Sequence, residues 1–362
     1  MSEVTRRDIL RHYFASLIVY GVVLLCIAAC PLYAKSLDVS KLNHLTVLTG
    51  YYLLYVVFAL PVFNKYRPAS IKNSRNVTIL NYVKRQFTKG SPIEKIKNME
   101  PSEDEKQALW ITFIKAFFGV YCLNLLCSKY IPSMDYDMAF IKEMFGQAFS
   151  YAHTQGIIAG FAQFIDDSAD MLIKFTFIVT TIVFVVSYLT EANFLKNKIR
   201  YADVSPLGLF TCLVCYYPFT TILNKFLPLY SENLVPVDHD LSRVVLNLLL
   251  ILSCFTSMIA IMCLGTKSGN LTNRGIVTKF PYNIVRHPDY GAQILSIILL
   301  YVPLYFTDAV TLLGKVLYTL GTMVWIYVYY LRALTEERNL LKDENYVHYM
   351  QKVKYRFIPK LF

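Results

Sequence analysis

Arg286, His287, Pro288, Asp289 and Tyr290 follow one another in a short polar segment between two long apolar runs. Pro288 suits the first turn of a helix, because the amide hydrogen it lacks would have no partner there, and Asp289 complements the positive end of the helix dipole. His287 is then expected at the N-cap. This order aims an Arg, a His and several free backbone N–H groups at one place, which is how a carboxylate or phosphate is held. Tyr282 and Tyr290 flank it, with ring faces able to meet an adenine or a positively charged centre. Further on stand two adjacent carboxylates, Glu336 and Glu337. Neighbours on a helix point about 100° apart, so one is expected to face the site while the other is solvated or pairs with Arg338 or Lys342.

Two other groupings carry less. Asp166, Asp167 and Asp170 form a DDxxD string of the kind that binds magnesium and a diphosphate, but no second Asp-rich motif accompanies it. A solvated acidic collar at the end of an apolar span is the favoured reading. Cys212 and Cys215 make a CxxC in an apolar stretch without His or acidic companions, which argues against a zinc or redox role. No metal site is expected.

The elements that position these groups are apolar. Of 362 residues 55% are hydrophobic and 17% charged, more apolar material than one soluble core needs. A helix needs roughly 20 residues to cross a hydrocarbon core of about 30 Å. Runs near 14–34, 45–63, 109–131, 171–190, 205–229, 241–264, 290–307 and 310–331 meet that length, giving an all-α polytopic membrane protein of about eight transmembrane helices. The segment 139–165 is apolar but interrupted by Gly146, Gly156, Gly160, Lys142, Glu143 and Gln163, and is read as one interfacial or re-entrant helix. The net charge of +11 gathers between the spans, where it marks cytoplasmic segments rather than a nucleic-acid surface. Segments 64–106, 191–204, 265–289 and the tail are Lys/Arg-rich while 230–240 is acidic, so both termini are expected in the cytoplasm. Within loop 64–106, Asn81 to Phe87 has the pattern of a basic amphipathic helix, and a plain solvated loop fits equally well.

RHPDY, a short hairpin of two spans, TEER and then YVHYMQKVKYRFIP resemble the isoprenylcysteine carboxyl methyltransferase and phospholipid methyltransferase family over roughly residues 255–362. The resemblance implies an S-adenosylmethionine pocket formed by the last helices, with cofactor roles for Arg286, His287, Tyr290, Glu336 and Glu337. Gly265 and Gly275 would supply close backbone approach, and Tyr282 would line the pocket. Gly291-Ala292 departs from the family's usual small residue after Tyr290, and the Phe-Gly often found before the last tyrosines is missing. The ending VKYRFIPKLF is also similar to the tail of membrane sterol reductases, which share RHPxY but bind NADPH; Glu-Glu-Arg stands here where their Arg-Asp pattern is expected.

Methyl transfer suits such a site, because displacement at a sulfonium methyl needs orientation and exclusion of water more than acid or base chemistry. The expectation is a transmembrane region over 1–204 and a methyltransferase-like core over 205–362, acting at the cytosolic face on a lipid-like or prenylated acceptor: a prenylcysteine-type carboxylate, a lipid amine or a thiol. Arg286 and Tyr290 would stand nearest the chemistry. Membrane lipids are the expected surroundings, nucleic acid is not an expected partner, and the sequence leaves the oligomeric state open. The alternatives are an NADPH-dependent sterol-type reductase and a non-enzymatic transporter or scaffold.

Overall fold

The computed structural model describes residues 4–31, 43–87, 100–134, 136–226, 240–301 and 311–361. Chain entry is set by local caps. Helix α1 (Arg6–Ala28) starts in a capping box in which the Thr5 hydroxyl accepts from the Asp8 amide and Asp8 answers the Thr5 amide. Helix α2 (His44–Tyr66) is capped by Asn43, α3 (Arg75–Gln86) by Ser74, and α4 (Glu103–Leu125) by a second capping box, Ser102 with Glu105. Helices α5 (Met138–Gln155) and α6 (Ile157–Leu189) follow, then the short pair α7 (Pro206–Leu213) and α8 (Phe219–Phe226). Helices α9 (Asp240–Leu264), α10 (Pro288–Tyr301), α11 (Leu312–Leu340) and α12 (Glu344–Lys352) complete the described chain.

Six of these helices are long and apolar enough to cross a membrane: α1, α2, α4 with the wide turn that follows it, α6, α9 and α11. Their outward faces fit that solvent. Leu53, Leu54, Val57 and Phe58 of α2 are all more than half exposed, a band that hydrocarbon tolerates and water does not.

These six coincide with six of the eight expected runs, and the other two are not among them. The run 205–229 is not one helix: Val214 to Pro218 turn between α7 and α8, and Pro218 cannot donate to a helical ladder running through it. Of the run 290–307, the described part belongs to the helix Pro288–Tyr301, and 302–310 lie outside the described residues. The acidic stretch expected at 230–240 lies outside them as well, apart from Asp240 at the start of α9.

The segment 139–165 is not one interfacial helix either. Gly156 takes φ +99°, where a side chain would be strained, and reverses the chain, so α5 folds back against the first half of α6. Gly160 makes the close approach possible: a β-carbon there would lie 2.5 Å from the Ala148 carbonyl and 2.5 Å from Ala152 Cβ. Helix α6 has 33 residues, about 50 Å, and so exceeds a hydrocarbon core of about 30 Å by its first several turns. The Asp string sits on that overhanging part. Asp166 bonds Arg243 Nε at 2.8 Å and Asn247 at 2.9 Å on α9, Asp167 bonds Gln163, and Asp170 bonds Lys174 and Tyr136.

Within 64–106 the described residues include α3, which begins six residues before the expected Asn81 and packs against α1 and α4. Asn76 bonds Ser16, and Arg85 pairs with Glu105 at 2.7 Å. At the opposite end of the chain order, α9 packs between α6 and α10, and α10 lies against α11. Strand β1 (Tyr201–Ala202) pairs antiparallel with β2 (Thr272–Asn273). That ladder and the α6–α9 contact fasten the parts expected at 1–204 and 205–362 to each other.

Candidate functional site

Pro288 opens α10, and the His287 carbonyl accepts the first helical bond from the Gly291 amide at 3.0 Å, so His287 is the N-cap as the sequence implies. The amides of Arg286 and His287 donate to the Tyr355 and Arg356 carbonyls at 2.9 and 2.8 Å. The Arg286 side chain does the same work: Nη1 donates to the Val353 and Lys354 carbonyls, both at 2.8 Å, and Nε reaches Glu337 at 2.7 Å. The segment after α12 is thereby zipped onto the entrance to α10.

The two carboxylates point apart, but the second is neither solvated nor paired with Arg338 or Lys342, which reach Ser205 and Asn339 instead. Glu337 points into this zip. Its Oε1 also lies 3.2 Å from His287 Nε2 and its Oε2 lies 3.0 Å from Arg356 Nε, with the side chain 5% exposed. Two guanidinium groups and an imidazole nitrogen converge on one buried carboxylate. Glu337 is thereby engaged by protein partners, and Arg286 commits its Nε and Nη1. Glu336 faces the other way and accepts from the Tyr290 hydroxyl at 2.7 Å. Tyr290 stacks on the His287 ring, centroids 5.4 Å apart and planes within 3°.

Beyond them opens a cavity of about 280 Å³ whose wall includes Tyr282, His287, Tyr290, Gln293, Arg332 and Glu336. Of the residues expected from the sequence, Gly275, Tyr282, Arg286, His287, Tyr290 and Glu336 line it, while Glu337 stands behind the wall and Gly265 is not part of it. A β-carbon on Gly265 would meet nothing within 4 Å, although its φ of +54° still favours glycine. Tyr282 is fixed by its hydroxyl on the Ala260 carbonyl at 3.3 Å and by the Tyr349 hydroxyl on its own carbonyl at 2.6 Å. Burial pushes the Tyr282 phenol well above its usual range.

Arg332 is the wall residue that the sequence reading passed over. It lies one turn before Glu336, and its expected partner at that spacing would be Glu336 itself. Instead it bonds Asn270 Oδ1 at 2.5 Å and Tyr216 at 3.3 Å, with its guanidinium 5.2 Å from the Tyr290 ring centre and 5.6 Å from that of Tyr216. It is 8% exposed, and none of these partners is anionic. Its one legible signal was an arginine on the Glu336 face of an otherwise apolar helix. Gln293 and Tyr329, bonded to each other, and Asp289, bonded to Gln293 at 2.9 Å, complete the deep end.

Arg274, also on the cavity wall, is buried with Nη1 on the Ser187 carbonyl at 2.7 Å and its guanidinium over Tyr188. Burial lowers its affinity for the proton. Asp343 caps α12 and pairs with Arg200. Burial would raise its carboxyl, but hydrogen bonds from Asn345 and Asn273 and the Arg200 charge hold it below the usual range.

The site can hold a flat aromatic group between tyrosine faces, a hydroxyl or ammonium on Glu336, and an anion on Arg332, all within one walled space. Comparison with protein-family models, curated proteins and solved structures finds no match for this chain.

Proposed function

We propose that the chain is a membrane methyltransferase that transfers a methyl group from S-adenosylmethionine to a lipophilic acceptor at the cytosolic face. The observation that carries the reading is convergence: the segment entering α10 and the acidic end of α11 meet around one cavity, with Tyr290 bonded to Glu336 and His287 stacked on Tyr290. The resemblance to the methyltransferase family links RHPDY and TEER across a helical hairpin, and a shared cavity is what it needs.

The cavity fits the proposed donor in kind. Tyr290 and Tyr282 offer faces to an adenine or a sulfonium, and Glu336 offers a carboxylate to ribose hydroxyls or to the ammonium. The donor supplies an activated methyl group. The protein's part is to align the acceptor behind that methyl and to keep water out. The electron pair of the acceptor forms the new bond to carbon, and the pair of the broken carbon–sulfur bond stays on sulfur. Arg332, a buried cation held by neutral partners, favours a carboxylate acceptor over an amine or thiol, because an oxyanion beside it would be held ionised.

The test is transfer of labelled methyl groups from S-adenosylmethionine into a lipid extract by the purified protein. His287→Ala is expected to reduce transfer about 100-fold or more, as loss of a positioning contact does; unchanged transfer removes the site assignment. Protection against thermal unfolding separates the readings: S-adenosylhomocysteine is expected to protect, and protection by NADPH alone supports the sterol-type reductase.

A further inference from the structure

The cavity wall carries both signs of charge: Glu336 and Asp289, and the cations Arg332, Lys267 and Arg274, with Arg200 beside Gly275. A β-carbon on Gly275 would lie 3.4 Å from Arg200 Nη2 and 3.5 Å from Lys267 Nζ, so both cationic heads border the same small space. Gly275 itself takes φ +99° and its amide is held by Asn273 Oδ1 at 2.7 Å. That keeps the backbone turned so that no side chain fills the gap.

The neighbouring carboxylates are already engaged. Asp343 is held by Arg200, Asn273 and Asn345. Glu191 is held by Arg75, Lys115 and the Ile199 amide. Arg274 is 3% exposed, its Nη2 has no hydrogen-bond partner, and its Nη1 rests on carbonyl oxygens. Lys267 is half-buried on the cavity wall, at the end of a membrane-length helix, with neither a hydrogen bond nor an ion pair to any described residue. Arg200 has Asp343 as its anion and Lys267 has none, so an anion entering the gap at Gly275 is attracted by both cationic heads.

We infer that Lys267 and Arg200, whose cationic heads border the Gly275 gap, form with Arg274 an oxyanion subsite on the cavity wall, occupied by the carboxylate of the donor's amino-acid end. The inference rests on the methyl-donor reading and relocates one contact. Arg286, the arginine the sequence offers for that carboxylate, spends Nε and Nη1 on Glu337 and the chain after α12. With the carboxylate beside Gly275, the sulfonium end reaches toward Tyr290 and Glu336 on the same cavity wall. Lys267 makes the direct contact, and Arg274 and Arg200 strengthen the field around it.

The experiment compares two ligands that share the nucleoside and differ in the carboxylate: S-adenosylhomocysteine, and 5′-methylthioadenosine, which lacks the amino-acid end. Binding is measured on the full chain in detergent for wild type, Lys267→Ala and Lys267→Arg. Lys267 has no partner to lose, so these variants are expected to fold. The expected result is that Lys267→Ala weakens S-adenosylhomocysteine about tenfold, the size of one charge-assisted contact, leaves 5′-methylthioadenosine unchanged, and is rescued by Lys267→Arg. Equal weakening of both ligands, or of neither, overturns the subsite while the donor reading stands. Failure of wild type to bind either ligand overturns both. A nanodisc arm, with and without phosphatidic acid, covers the other source of an oxyanion. Stabilisation by phosphatidic acid that is lost in Lys267→Ala, with S-adenosylhomocysteine binding unaffected, assigns the cluster to a lipid headgroup and overturns the proposal.

Discussion

Glu336 and Glu337 share a residue type and differ in everything around them. Glu337 balances Arg286, Arg356 and His287 in a space nearly closed to solvent, so Glu337→Ala leaves buried cations without an answer. That is expected to cost about 3–5 kcal/mol, read as a lowered midpoint in thermal unfolding. Glu336→Gln keeps an acceptor for the Tyr290 hydroxyl. It is expected to change stability by about 1 kcal/mol or less while weakening S-adenosylhomocysteine. Equal losses of stability in the two variants would contradict the division. The motif residues were legible because Pro288, His287 and the Glu pair carry local rules: a helix start, a cap and a 100° step. Arg332 was legible only as an i,i+4 partner of Glu336, the pairing its spacing suggests. Only the arrival of Asn270 and Tyr216 from elsewhere in the chain shows that it is committed to the cavity wall.

Among the elements, the hairpin of α5 and α6 depends on two glycines for different reasons. Gly156 supplies a backbone angle, and Gly160 supplies room. Gly160→Ala forces a β-carbon into Ala148 and Ala152 and is expected to cost about 1–3 kcal/mol. Gly146→Ala, where nothing lies within 4 Å, is expected to be neutral or to stabilise by up to about 1 kcal/mol through helix propensity. Comparing the two thermal midpoints checks this, and a Gly160→Ala protein as stable as wild type would show that the helices are not in close contact. The long helices were visible in the sequence because hydropathy and length suffice for them. The turn between α7 and α8 was not, since an apolar run of the right length looks the same to hydropathy whether or not it bends at Pro218. The split at Gly156 was equally hidden, because the sequence marks the glycine but not the sign of its φ.

For the molecule as a whole, the polar end of the bundle is held by carboxylates tuned away from their ordinary values. Burial would raise Glu191, yet the Lys115 and Arg75 charges, with the Arg75 and Ile199 hydrogen bonds, hold it low, as the partners of Asp343 hold that residue. A carboxyl depressed on folding contributes stability that is present above its unfolded pKa of about 4 and is lost as pH falls through the folded value. Thermal midpoints are therefore expected to stay level from neutral pH down to about 5 and to fall below about 4. Glu191→Gln should lower the neutral-pH midpoint and flatten the acid limb. A consequence of the zip onto Arg286 concerns synthesis. The carbonyl that Arg286 needs lies 67 residues downstream, so at about 5–20 residues per second the ribosome leaves this arginine waiting roughly 3–13 s. Throughout that interval a translating chain holds its entire membrane bundle up to α10 yet has no finished pocket. A nascent chain arrested shortly after α11 should therefore be inserted but unable to retain a nucleoside.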